Sequence, residues 1–184
     1  MKVLAVSGSL RSGSYNTGLL RAAQELAPDG VEVELYDGLA RLSPYDQDVQ
    51  DSEPPEPVRE LRERIAEADA VLIATPEYNG SIPGVLKNAI DWASRPFPEN
   101  SLRGKPVAIV GASTGSYGAL WAQGDLRRVL GITGARVLEG ELPVPRAQDR
   151  FDRAGRLGDE TIRRRLAEVV ERLAEEAAIL LAAA

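Results

Sequence analysis

The chain has 184 residues, 43% of them hydrophobic and 27% charged, with 22 basic against 28 acidic side chains and a net charge of −6. That suits one domain with a sizeable core, and it lacks the overall positive charge of a nucleic-acid-binding surface. There is no Cys and no His, which excludes disulfides, thiol nucleophiles, iron–sulfur clusters, Ser-His-Asp catalysis and nearly every transition-metal site, so an enzyme of this composition draws its hard chemistry from an external cofactor.

The elements alternate along the chain. Val3–Val6 is a short buried-strand run, followed by Leu19, Leu20, Ala23, Leu26 and Ala27 at helical spacing. Val31–Leu35 alternates as a strand with one wet face, near a sheet edge. Val58, Leu61, Ile65 and Ala68 repeat as a helix. Ala70–Ala74 is apolar throughout, as a central parallel strand should be. Val85, Leu86, Ala89, Ile90 and Ala93 mark a third helix, Val107–Val110 a fourth strand, and Leu120–Leu130 a fourth helix. Arg136–Leu138 begins a fifth strand, and Ile162 to Leu180 step by three and four along a closing helix.

Five β-α repeats predict an α/β fold: a doubly wound five-stranded parallel sheet in the order 2-1-3-4-5, with the whole chain, residues 1–184, as a single domain. Gln47–Pro57 and Pro143–Gly158 read as surface loops, the second long enough to suggest ordering against a partner subunit. Trp92 reads as core or as a subunit contact. Arg127-Arg128 and Arg163–Arg165 lie on helical segments with acids nearby, and read as solvated ion-pair faces. No apolar run approaches the ~18 residues of a membrane span. Met1–Val6 is too short for a secretory signal. A cytoplasmic location with no membrane or nucleic-acid partner is therefore expected.

In such a sheet, ligands sit at the carboxyl ends of the strands. Three loops leave those ends after the first, third and fourth strands. The first, Ser7–Thr17, is crowded with hydroxyls, carries Arg11 and opens a helix, a setting that suits an anion. It lacks both the GxGxxG pattern and the Walker Lys, so it is sized for one terminal phosphate rather than a pyrophosphate. The competing reading is that Ser14 or Asn16 simply caps the helix. The second loop, Thr75–Gly84, is stiffened by Pro76 and Pro83, with Asn79-Gly80 suited to positive φ. Tyr78 offers a flat face and Asn79 a donor and an acceptor, so a planar ring could lie there; equally, this is a strand-to-helix turn with a surface Tyr. The third loop, Gly111–Gly118, is made of small residues that let a ligand approach the backbone, or that satisfy a tight turn.

Three stretches carry a resemblance: GSLRSGSYN at Gly8–Asn16, TPEYNGSIPGVLKNAIDW at Thr75–Trp92, and GKPVAIVGASTGSYG at Gly104–Gly118. Together they resemble the NADPH-dependent FMN reductase family, the flavodoxin-like group that includes chromate and quinone reductases. The resemblance implies a flavoenzyme passing electrons from NADPH or NADH through FMN to a quinone, flavin or similar small acceptor. It implies cofactor contacts from Ser9, Leu10, Arg11, Ser14, Tyr15 and Asn16 around the phosphate. Pro76, Glu77, Tyr78, Asn79 and Gly80 would lie along the ring and ribityl chain, with Ser113, Thr114 and Gly115 on the other side. It further implies a homodimer or homotetramer with the flavin near a subunit interface. Gly80 stands where some chromate reductases of the group have Tyr. No catalytic side chain and no metal ligand is named, since the flavin does the redox work. Glu77, the only carboxylate of the central loop, reads as a backbone N–H acceptor or intersubunit ion pair rather than a general acid. A non-enzymatic flavin electron carrier and a flavin-binding regulatory module are the alternatives; rapid bleaching by NADPH with turnover on a quinone separates them from the enzyme.

Overall fold

In the computed structural model, residues 1–183 are described. The elements run β1 (Lys2–Ser7), α1 (Tyr15–Leu26), β2 (Glu32–Tyr36), α2 (Gln47–Ser52), α3 (Glu56–Glu67), β3 (Ala70–Ala74), α4 (Gly84–Ala93), β4 (Pro106–Ala112), α5 (Leu120–Thr133), β5 (Arg136–Val137), β6 (Leu142–Val144) and α6 (Glu160–Ala183). The strands are all parallel, in the order β2-β1-β3-β4-β5, with β6 also on β4. This is the expected doubly wound, flavodoxin-like sheet.

Strict alternation of the strands builds two cores. Val3, Ala5, Leu72, Ala108 and Val110 point to the face covered by α1 and α6. Leu4, Val6, Val71, Ile73, Val107 and Ile109 point to the face covered by α3, α4 and α5. Because both faces are covered, β3 and β4 are buried along their whole length, which is why they read as unbroken apolar runs. β2 pairs only with β1 and keeps Glu32 exposed, so it is the predicted edge strand.

Three expectations need correction. The fifth strand is interrupted: β5 pairs with Pro106 and Val107, β6 with Val110–Ala112, and after the Leu138 amide's bond to the Val107 carbonyl residues 139–141 leave the sheet between them. Arg127 holds that excursion out, donating to the carbonyls of Leu138 and Gly140 and pairing with Glu141 at 3.1 Å. Pro143–Gly158 runs over the surface but is anchored to this chain itself. Val144, Ala147, Phe151 and Leu157 are buried in this chain's own core, and a bridge between Phe151 and Leu157 closes a small hairpin. Gln47–Pro57 contains the short helix α2, capped by Asp46 accepting from the Asp48 amide.

Trp92 is core, not an exposed subunit contact. It is 0% exposed, packs edge-on against Tyr45, and donates its indole N–H to the Ser43 carbonyl at 2.8 Å. Of the arginine runs, Arg128 pairs with Asp125 on a solvated face, whereas Arg127 and Arg163, paired with Glu141 and Glu25, are less exposed and also donate to backbone carbonyls.

Candidate functional site

The chain steps from β1 outward to β2, then returns to the other side of β1 as β3. The loops after β1 and β3 therefore diverge, leaving a crevice at their carboxyl ends. It is a cleft of about 390 Å³, lined by Ser9, Arg11, Ser14, Tyr15, Asn16, Pro76, Glu77, Tyr78, Ala112, Ser113 and Thr114. All three loops singled out from the sequence thus meet in one place. Leu10, Asn79, Gly80 and Gly115 belong to the same loops but lie outside the lining. Ala112 is the lining residue that sequence reasoning missed; a small apolar residue at a strand end carries no chemical signal.

Glycine at position 8 sets the approach of the first loop to the second. A Cβ there would lie 3.0 Å from Leu86 Cδ2 and 3.3 Å from Pro76 Cδ. The Gly8 amide donates to the Ala74 carbonyl, tying the start of the loop to β3. Beyond it, the two readings of the loop prove compatible. Ser14 is the N-cap of α1, its hydroxyl accepting from the Thr17 amide. That leaves its proton free to be donated. Asn16 is buried and clamps the end of β4, donating to the Ala112 carbonyl and accepting from the Ala112 amide. Among the described residues, the amides of Tyr15 and Asn16 have no backbone or side-chain acceptor. Two free amides, a hydroxyl proton and the Arg11 guanidinium form a cradle that fits a phosphate at a helix N-terminus. Arg11 is exposed, and its guanidinium lies 5.4 Å over the Tyr15 ring.

The second loop is a tight turn. Tyr78 and Ser81 exchange backbone hydrogen bonds at 3.0 and 3.2 Å, and Asn79 and Gly80 take φ of 54° and 75°. Two successive positive φ values are those of a type I′ turn, as Asn-Gly predicts. Tyr78 is left half exposed beside the cleft. Glu77 turns out to be a remote helix cap: its Oε2 accepts from the amides of Trp121 and Ala122 at 3.1 and 3.2 Å. These are second and third positions of α5, whose own N-cap, Ala119, has no side chain able to do this. The carboxylate sits at the positive end of that helix.

The third loop is pressed against the segment that follows β6. The Ser113 amide donates to Val144, and the Ala147 and Arg146 amides donate to Ser113 and Gly115. At Gly118, φ is 61° and a Cβ would lie 2.5 Å from the Val144 nitrogen, so glycine is required there; Gly115 is under no such constraint. Next to this loop, Tyr117 and Trp121 stack with centroids 4.6 Å apart, and both are more than half exposed.

The model of one family, NADPH-dependent FMN reductase, matches residues 1–149. Among similar proteins, an NAD(P)H-dependent FMN reductase of Pseudomonas aeruginosa is 47% identical over 174 residues, covering 94% of this chain and 93% of its own. A 2-hydroxy-1,4-benzoquinone reductase of a Burkholderia species is 40% identical, covering 95% and 94%. Of solved structures, FerB, a flavoenzyme NAD(P)H:(acceptor) oxidoreductase of Paracoccus denitrificans, superposes with a TM-score of 0.83 at 37% identity, covering 96% of each chain.

Proposed function

The chain belongs to the NADPH-dependent FMN reductase family, and from that membership we propose that its three-loop cleft holds FMN and serves quinone or flavin acceptors. The chain is an FMN-dependent oxidoreductase that draws electrons from NAD(P)H. The observation that carries the site assignment is the pairing of an uncommitted phosphate cradle with a half-exposed tyrosine across one cleft.

In this reading Ser9, Arg11, Ser14 and the amides of Tyr15 and Asn16 hold the phosphate. Asn16 serves mainly to fix β4 against α1, so that the cradle and the third loop keep their spacing. Pro76, Glu77 and Tyr78 would lie along one edge of the ring system and Ser113 and Thr114 along another, with Asn79, Gly80 and Gly115 shaping the loops behind them. Bound there, FMN supplies hydride acceptance and onward electron transfer. The protein's part is to hold donor and acceptor rings about 3–3.5 Å from it in turn and to keep water out. No side chain is assigned a proton.

The reading extends to a single functional domain over residues 1–184, acting in the cytoplasm as a homodimer or homotetramer. With Trp92 buried and residues 143–158 anchored in the chain's own core by Val144, Ala147, Phe151 and Leu157, support for assembly comes instead from Tyr78, Tyr117, Leu120 and Trp121, exposed large apolar side chains on the elements flanking the cleft. Aromatic residues are enriched in such interfaces. Denaturing extraction of the purified protein should release FMN, and stopped-flow mixing with NADPH should bleach it, with turnover on a quinone. Recovery of FAD alone, or no flavin after reconstitution, would overturn the cofactor site. A flavin that NADPH does not reduce would favour the electron carrier or regulatory module.

A further inference from the structure

A second cavity, of about 330 Å³, adjoins the first and shares Ser14 and Tyr15 as its wall. Its far side is the hairpin closed by Phe151 and Leu157. That hairpin reaches α1 because position 18 is glycine: a Cβ there would lie 2.7 Å from the Phe151 ring and 3.0 Å from the Gly155 carbonyl. The remaining lining is Ser12, Gly13 and Arg21, with Asp152, Arg153, Ala154 and Gly155 of the hairpin.

The charges in this cavity are unbalanced. Asp152 is its only carboxylate, and both oxygens are spent on the hairpin: Oδ1 accepts from the Ala154 and Arg156 amides, and Oδ2 from Arg156 Nε at 2.8 Å. Arg21 and Arg153 have no carboxylate or carbonyl partner among the described residues. The contrast is a smaller cavity of about 150 Å³ beneath α6, where Arg165 and Arg172 both donate to backbone carbonyls. Two uncommitted guanidinium groups around one recess, in a chain of net charge −6, are a local reversal of sign with no structural work assigned to it.

We propose that this recess is a second phosphate subsite, in which Arg21 and Arg153 pair with a phosphate ester carried by a nucleotide substrate. The inference rests on the assignment of the neighbouring cleft to FMN. Beyond the wall of Ser14 and Tyr15, the recess is separate from the cradle for the cofactor's own phosphate. The phosphate ester has two sources: the 2′-phosphate of NADPH, or the adenylate arm of FAD presented as a flavin substrate.

Calorimetry on the FMN-loaded protein, with 2′,5′-ADP as the probe, tests the subsite. Arg21→Ala and Arg153→Ala should each weaken binding about ten-fold, the low end for a charge-assisted hydrogen bond in a half-open site. Both side chains are exposed and unpaired, so both variants should fold and bind FMN as the parent does. If the phosphate belongs to NADPH, the variants raise KM for NADPH and leave that for NADH unchanged. If it belongs to FAD, they raise KM for FAD as acceptor and leave that for free FMN unchanged. Equal 2′,5′-ADP affinity in the parent and the Arg21/Arg153 double variant overturns the subsite. A parallel loss of FMN affinity would merge the recess with the cofactor site and overturn it too. Failure of the parent protein itself to bind FMN would instead sink the assignment of the cleft.

Discussion

Replacing Glu77 separates a structural carboxylate from a chemical one. Its Oε2 takes the Trp121 and Ala122 amides, the Leu120 amide goes to the Tyr117 carbonyl, and among the described residues no other side chain caps that end. Glu77→Gln keeps an acceptor oxygen of the same reach and removes the charge. A charge-assisted hydrogen bond contributes roughly 1.5–3 kcal/mol and a neutral one roughly 0.5–1.5, a difference of about 1 kcal/mol per bond; with the bond to the Trp121 amide exposed to water, the loss should be about 1 kcal/mol. Part of this is the interaction with the helix dipole, about 0.3–1 kcal/mol at an exposed end. In a chain of this size, about 1 kcal/mol lowers Tm by about 2–4 °C. Glu77→Ala removes both bonds. Because the Trp121 amide can turn to water, its cost should stay near the usual about 1–2 kcal/mol for a lost cap. The assay pairs thermal unfolding with stopped-flow reduction of the FMN-loaded variant by NADPH. Glu77→Gln should melt a few degrees lower and retain most of the parent's reduction rate. A variant that binds FMN, melts as the parent does and is no longer reduced would refute the capping argument and assign the carboxylate a chemical role.

Four further outcomes are expected. Arg11→Ala should weaken FMN binding by about 10- to 150-fold, the equivalent of roughly 1.5–3 kcal/mol, without unfolding the protein; equilibrium titration of the flavin-free protein checks this, and unchanged affinity removes Arg11 from the phosphate cradle. If nicotinamide and acceptor use the same face of the bound flavin in turn, initial-rate plots should be parallel; intersecting lines would establish a ternary complex and refute shared access. Sedimentation equilibrium at micromolar concentration should give a dimer or tetramer, and Trp121→Glu should shift it toward the monomer; a strictly monomeric parent with full activity refutes the interface. The carboxyls of Asp152 and Asp159 are held below the ordinary value, Asp152 first by the Arg156 amide and Asp159 first by the Ile162 amide. With folded pKa values depressed, the stability they contribute is complete above the unfolded value near ~3.9 and is lost as pH falls below it. Protection of the Ala154, Arg156 and Ile162 amides, measured against the intrinsic exchange rate at each pH, should fall in that window ahead of that of β3, and a uniform fall would contradict it.

The central strands were legible because a parallel strand covered on both faces has no polar alternation to confuse it, as Ala70–Ala74 shows. The loops were legible because their residue types are costly to explain otherwise: the positive φ at Asn79 and Gly80 is written in the Asn-Gly pair itself. What escaped the sequence depends on partners far along the chain. The break between β5 and β6 is made by Arg127, reaching carbonyls 11 and 13 residues away. The capping role of Glu77 depends on amides 44 and 45 residues on. Helical spacing left Trp92 open between core and subunit contact, because Tyr45 and the Ser43 carbonyl that cover it lie more than forty residues back. In residues 143–158, Val144, Ala147 and Phe151 step by three and four although no α-helix forms there, and the Arg and Asp around them and around Leu157 masked the anchors.

The interrupted outer strand also decides how copies of this chain can meet. An unpaired strand edge is a template on which another chain can extend the sheet. Here one edge offers only the two residues of β5 and the three of β6, separated by the excursion that Arg127 holds out. The opposite edge, β2, carries exposed Glu32 and has Glu34 ion-paired to Lys2 and Arg64. Neither border presents a long, uncharged ladder of free backbone groups. Association by continuous backbone pairing is thereby blocked at both ends of the sheet, and a self-assembling form of this protein has to be built from side chains on its helical and loop surfaces.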